Sequence, residues 1–88
     1  MGQIIYSDGR IEAITPKNGR KFTLAEMQGV VDGFIEVVPT HDNRMMVIDE
    51  EGKLKRKPMN MTATLLYQYG GHDEIVGDVL LCSPTEIE

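Results

Sequence analysis

The fold is decided by two stretches that follow the same plan, TLAEMQGVVDGFIEVV (23–38) and TATLLYQYGGHDEIVGDVLL (62–81). Each begins with an apolar segment of helical spacing, passes through glycine, and ends in a segment with the residue types of a strand. An apolar helix stripe and a strand are the parts of a two-layer α+β domain. This tandem helix–Gly–strand repeat predicts an architecture and supplies no catalytic group.

The first helix has clear signals at both ends. Thr23 and Glu26 have the spacing of a capping box, in which each side chain accepts a hydrogen bond from a free amide of the first turn. Gly33 stands where a left-handed residue ends a helix, a conformation that glycine adopts without a Cβ clash. The stripe that packs on a sheet is predicted to be Leu24, Met27 and Val31.

The second helix is predicted to follow Asn60, whose side chain is a good N-cap. Its packing stripe is predicted to be Met61, Leu65 and Tyr69, and the glycine pair 70–71 ends it.

Strands are predicted at 3–6, 11–14, 34–38, 45–49 and 75–82, and 53–57 is predicted to be an edge strand or a loop. The order is therefore ββαββαβ, with a largely antiparallel sheet and both helices on one face. We expect a single α+β domain over residues 1–88, with an acidic tail from about residue 84.

The charge of the chain is unevenly placed. The net charge is −5, residues 1–57 balance nine acids with nine bases, and no Lys or Arg follows residue 57. An acidic C-terminal third disfavours nucleic-acid backbones and favours a basic partner. The lone Cys82, the missing signal peptide and the lack of an apolar run of roughly 18 residues predict a cytoplasmic protein without membrane contact.

Two carboxylates lie within the strands of the two repeats, Glu36 in the first and Asp78 in the second. Strand alternation places Glu36 on the same face as Phe34 and Val38. It places Asp78 on the face shared with Val76, Leu80 and Cys82. If the two strands are neighbours, the acids could share a proton or bind a metal ion. The alternative is that both face water or pair with Lys and Arg across the sheet.

Other chemistry finds little support in the sequence. His41, His72 and Cys82 lack the paired spacing of zinc ligands, so both histidines are predicted in loops and Cys82 in the core. Ser7 and Ser83 stand outside any nucleophile motif, and the glycine pairs end helices, whereas phosphate-binding loops open them. We therefore expect no catalytic residue, no metal and no cofactor.

Two compositional clusters remain. Four bases (Lys53, Lys55, Arg56 and Lys57) follow an acidic run, and no aromatic residue stands among them. This favours a solvated hairpin arm or an edge strand protected by lysines over a phosphate-binding site. Four methionines (Met45, Met46, Met59 and Met61) crowd the middle of the chain. Methionine fills irregular cores and also adapts to binding surfaces, so these residues are core filling or a self-association interface.

The chain resembles a family of small uncharacterised bacterial and phage proteins, a domain of unknown function. The likeness rests on QGVV (28–31), GFIE (33–36), DEEGK (49–53), PMN (58–60) with Ala63, and IVGDV (75–79). The family often shows a double glycine where this chain has Asp32-Gly33. The resemblance implies a cytosolic protein, in many cases encoded on phages or other mobile elements, with no catalytic residues to carry over. Asn60 corresponds to the family's asparagine before the second helix.

Three functions are compatible with these observations. The first is a non-catalytic binding or regulatory protein that acts through protein–protein contacts as a homodimer. The second is a small-ligand or metal-binding domain centred on Glu36 and Asp78, with Asn60 as a further candidate ligand-binding residue. The third is an acidic inhibitor that mimics nucleic acid, encoded by a phage or mobile element.

Overall fold

The computed structural model describes residues 1–88 and has the predicted ββαββαβ order. Its elements are β1 (Gly2–Ile5), β2 (Ile11–Ile14), α1 (Leu24–Val31), β3 (Ile35–Pro39), β4 (Met45–Asp49), α2 (Met61–Leu66) and β5 (Val79–Cys82), followed by a 3-10 turn at Pro84–Glu86. The α+β class is thereby confirmed. No helix has the length and apolar character needed to cross a membrane.

The five strands form one antiparallel sheet in the order β2-β1-β5-β4-β3. β5 is the central strand, and Leu80 lies opposite Ile4 on one side and Val47 on the other. All four residues of β5 are buried. A strand whose side chains are buried on both faces needs a cover on each side of the sheet.

The two helices supply these covers, and they lie on opposite faces of the sheet. Met27 and Val31 of α1 pack with Val47, Leu80 and Cys82. The other face carries Ala63 of α2 together with Ile5, Val38, Met46, Val79 and Leu81. The prediction of both helices on one face is therefore wrong, and the domain has three layers. The apolar run Val79–Cys82 already carried the signal, because alternation sends its residues to both sides.

Helix α1 begins as predicted but ends differently. The Thr23–Glu26 capping box is present, and Met27 and Val31 are buried. Leu24, which was predicted in the packing stripe, is half exposed. The left-handed residue is Asp32 (φ 58°), not Gly33. Gly33 is needed for space, since a Cβ there would lie 2.7 Å from the Asp49 carboxylate.

Helix α2 starts at the predicted cap but packs through different residues. Asn60 accepts a hydrogen bond from the Ala63 amide, and the helix ends at Leu66, before the glycine pair. Its buried residue is Ala63, with Leu66 and Tyr67 partly buried beside it. The predicted stripe of Met61, Leu65 and Tyr69 is exposed instead. The small Ala63 sits fully buried against the sheet, so the larger residues are left on the outer side.

The remaining differences concern the ends of segments. β5 begins only at Val79, because Gly77 has a positive φ of 78° and breaks the strand predicted from residue 75. Residues 53–56 form turns and Lys57 lies in no regular element, which confirms the loop alternative. The acidic tail is packed against the body, since the Phe22 amide donates to the Glu86 carbonyl and the Glu88 amide to the Phe22 carbonyl.

Candidate functional site

The most strongly organised polar group surrounds Asp49, at the end of β4. Its side chain is 1% exposed, and its carboxylate accepts a hydrogen bond from Lys55 Nζ at 2.9 Å and forms an ion pair with Lys57 Nζ at 2.7 Å. The Glu51 amide donates to its other oxygen. Burial alone would raise the pKa of Asp49, but the hydrogen bonds from Lys57 and Lys55 outweigh burial and lower that pKa to about 2.

The same lysines close the C-terminal end of α1. Lys57 Nζ donates to the Val31 carbonyl at 2.6 Å, and Lys55 Nζ donates to the Asp32 carbonyl at 3.1 Å. Cations at a helix C-terminus satisfy free carbonyls and interact favourably with the helix dipole. We call Asp49, Lys55 and Lys57 the Asp49 cluster. It holds α1 to the β3–β4 hairpin. Lys55 and Lys57 are therefore neither part of a solvated arm nor a phosphate-binding site.

Asn60 is also fully occupied by the fold. Its side chain is buried, and Nδ2 donates to the Ile5 and Gly77 carbonyls at 2.9 Å each. Oδ1 accepts from the Ala63 amide at 3.1 Å. The residue therefore ties the start of α2 to β1 and to the segment before β5, and these contacts leave it no role toward a ligand.

Glu36 lies at a cleft on the α2 face of the sheet. It is exposed, pairs across the hairpin with Ile48, and shares a face with Val38, as predicted. The cleft measures about 150 Å³. We call it the Glu36 cleft; it is lined by Glu36, Val38, Ile48, Asp49, Glu50, Lys53, Leu54, Tyr67, Asp73, Glu74, Ile75 and Val76.

Asp78 lies on the other face of the sheet, in a larger groove. The groove has a volume of about 550 Å³, between α1 and the β1–β2 hairpin. We call it the α1 groove; it is lined by Ile4, Tyr6, Ile14, Thr15, Lys17, Ala25, Glu26, Gly29, Val30 and Asp78. Asp78 precedes β5, and its Oδ1 accepts a hydrogen bond from the Ser7 amide at 2.9 Å.

The structure does not bring Glu36 and Asp78 together. Strand β4 separates β3 from β5, and the two carboxylates line different clefts on opposite faces. A single site shared by both acids is therefore ruled out by the topology, although either acid alone remains a candidate. No three His, Cys, Asp or Glu side chains are placed to hold a metal ion together.

The remaining titratable candidates lie where the sequence predicted them. His41 and His72 are exposed in turns. Cys82 is buried in the core. Burial raises the pKa of the Cys82 thiol to about 11, and an inaccessible, protonated thiol is a poor nucleophile.

The four methionines of the predicted interface divide between core and surface. Met46 is fully buried and Met45 partly buried, so Met46 cannot contact a partner. Met59 and Met61 are exposed, as are Leu65 and Tyr69. We call Met59, Met61, Leu65 and Tyr69 the α2 patch.

The segment that carries the α2 patch has an unusual composition. From Pro58 to Gly71 it contains no Asp, Glu, Lys or Arg. Met61 and Leu65 are 57% and 71% exposed and stand one helical turn apart, so they lie on the same side of α2. The absence of charge was visible in the sequence, but only the structure shows that this side of the helix faces outward.

The fold and these surfaces define a small α+β domain built around a single antiparallel sheet. The profile of a domain of unknown function, DUF3846, matches residues 4–88. Because the match spans nearly the whole chain, the protein belongs to this family, which confirms the resemblance seen in the sequence. Comparison with curated proteins and with solved structures gave no match in either case.

Proposed function

We propose that this protein is a non-catalytic binding module that acts through protein–protein contacts at the α2 patch, first of all as a homodimer. The observation that carries the proposal is the uncharged, outward-facing segment around α2. The cores of protein interfaces are depleted of charge and enriched in methionine and aromatic residues. The buried, unpaired Cys82 supports a reducing, cytoplasmic location for this activity.

The energetics favour contacts at this patch. Fully burying an exposed Leu or Met side chain contributes about 1.5–3 kcal/mol. An 88-residue chain buries a modest share of its surface, so association is a common way for such a domain to gain stability. Leu65 and Met61 are the expected anchors, because they project from the same side of a regular helix.

Light scattering over a range of micromolar concentrations tests this proposal. We expect the wild-type mass to rise toward a dimer, and the variant Met61→Gln/Leu65→Gln to stay monomeric. Both positions are exposed and glutamine is a good helix former, so the variant should fold. Leu24→Gln is the matched control, since Leu24 is an exposed leucine on α1 at the opposite face.

A wild-type mass that stays monomeric at every concentration would remove the homodimer. Equal loss of association in the Leu24→Gln control would show that the contact does not depend on the α2 patch.

A second candidate function is the binding of a small molecule in the α1 groove. Its volume of about 550 Å³ lies within the usual range for small-molecule sites, and its floor is apolar. Asp78 uses one oxygen for the Ser7 amide, which leaves the other for a ligand cation. An apolar amine is therefore the expected ligand class.

Phenethylamine, with phenethyl alcohol as the neutral control, is a suitable probe for the groove in an amide chemical-shift titration. The amine should shift amides along the groove, and Asp78→Asn, which still accepts from Ser7, should weaken the shifts. Equal responses to the amine and the alcohol would dismiss a role for Asp78.

A further inference from the structure

The Glu36 cleft has an apolar floor and an acidic rim. Val38 and Ile48 of the β3–β4 hairpin form part of the floor, with Tyr67 and Ile75 from the segments that follow. These side chains belong to the core on the α2 face or pack against it, so the floor is held rigidly. A site that bound only a charged group would not need this apolar floor.

The rim carries carboxylates without cationic partners. Glu36, Glu50 and Glu74 line the cleft, and none of them forms an ion pair within the chain. Lys53 is the only basic residue of the lining, and Asp73 already pairs with it. The cleft therefore presents an excess of negative charge above an apolar surface, a complement to a side chain with an apolar stem and a cationic end.

The cleft adjoins the proposed interface. Tyr67 lines the cleft, and its ring meets that of Tyr69 edge to face, with centroids 5.7 Å apart and an interplanar angle of 82°. Tyr69 belongs to the α2 patch. An apolar contact surface thus leads through two aromatic rings into an acidic cleft.

We propose that the Glu36 cleft receives one arginine side chain of a partner polypeptide other than this chain, which binds beside the α2 patch. The proposal rests on the function proposed above and names the chemistry of the partner. A volume of about 150 Å³ is well below that of a drug-sized pocket and suits one long side chain. The methylenes of arginine lie on the floor, and the guanidinium pairs with the rim carboxylates.

Arginine fits this cleft better than lysine for two reasons. Its planar fork can donate to two carboxylates at once, whereas an ammonium acts as a point charge. The guanidinium also stacks well on aromatic rings, and Tyr67 is the aromatic residue of the lining.

The test is an amide chemical-shift titration of the full chain with the tripeptide acetyl-Leu-Arg-Leu-amide. The control peptide replaces arginine by citrulline, which keeps the shape and removes the charge. We expect saturable shifts at Glu36, Ile48 and Glu74 with the arginine peptide. The citrulline peptide should bind about tenfold more weakly, which corresponds to 1.4 kcal/mol.

A pair of variants locates the site. Glu36→Gln/Glu74→Gln should weaken binding of the arginine peptide at least several-fold. Glu12→Gln, which removes an exposed glutamate from the other edge strand of the sheet, should leave binding unchanged. Added salt should weaken binding of the arginine peptide more than that of the citrulline peptide.

Three outcomes would overturn the proposal: no shifts at the cleft, equal affinity for both peptides, or equal weakening by Glu12→Gln. Shifts of the same amides on raising the protein concentration without peptide would assign the cleft to a second copy, which also contradicts it. Light scattering of Met61→Gln/Leu65→Gln reports the α2 patch separately, so failure of the cleft and failure of the patch are distinguishable.

Discussion

Asn60 shows how one side chain connects segments that are distant in sequence. Its predicted role as N-cap of α2 is confirmed. The pattern N-x-x-A could not show that the amide end donates to the Ile5 and Gly77 carbonyls, because those residues lie 55 and 17 positions away. Local spacing predicts caps well, whereas the distant partners of a buried amide depend on the tertiary fold.

Replacing Asn60 by alanine should destabilise the domain by about 2–4 kcal/mol. The loss combines an N-cap, worth about 1 kcal/mol, with two buried side-chain hydrogen bonds, which contribute about 0.5–1.5 kcal/mol each. Urea unfolding followed by circular dichroism measures the change. Asn18→Ala is the control, since Asn18 caps an exposed turn, and it should cost less than about 1 kcal/mol. Equal effects of the two substitutions would contradict the role given to Asn60.

At the scale of elements, the Asp49 cluster joins α1 to the β3–β4 hairpin. The sequence predicted the helix and the hairpin from periodicity and turn signals, because those depend on neighbouring residues. It did not predict that Lys55 and Lys57 turn back to a buried carboxylate and to the end of α1. Three acids, Asp49, Glu50 and Glu51, precede these lysines, and the sequence does not show which of them pairs. In the structure only Asp49 is buried.

Acid should weaken this connection in a defined pH range. The folded pKa of Asp49 lies near 2, below its unfolded value of 3.8, so the stabilisation is present above about pH 4 and disappears as the pH falls toward 2. The difference between the folded and unfolded pKa of Asp49 corresponds to about 2 kcal/mol in the free energy of unfolding. Unfolding free energies measured across this range should fall for the wild type and fall less for Asp49→Asn.

At neutral pH, Asp49→Asn should itself be less stable by about 2–3 kcal/mol, because two lysines lose their carboxylate. Asp42→Asn removes an exposed acid that pairs with Arg44 and should change stability much less than Asp49→Asn does. Identical pH profiles for the wild type and Asp49→Asn would show that the cluster contributes nothing measurable.

The side of the sheet on which each helix lies is the element-level feature that sequence reasoning missed. Large apolar residues suggested a packing stripe of Met61, Leu65 and Tyr69, but the buried contact of α2 is made by Ala63. Periodicity locates a helix face without deciding between a buried stripe and an exposed one, and the small residue is the one that fits closest to the sheet. The four consecutive apolar residues of β5, all buried, were the better guide, because they indicate that both faces of the sheet are covered.

For the whole molecule, the three-layer arrangement separates the candidate surfaces. The α1 groove with Asp78 lies on one face, and the Glu36 cleft and α2 patch lie on the other. The cleft and patch were not predictable as a unit, since they assemble from β3, β4, α2 and the segments on both sides of α2. Family membership confirms the likeness seen in the sequence and assigns no activity.

Methionine oxidation by dilute peroxide, followed by mass spectrometry, tests the central claim that the α2 patch is covered by a protein contact. At low protein concentration, exposed Met61 and Met1 should oxidise quickly, and buried Met27 and Met46 slowly. As the concentration rises, Met61 should become protected while Met1 stays reactive. Oxidation of Met61 that keeps pace with Met1 at every concentration would contradict the account.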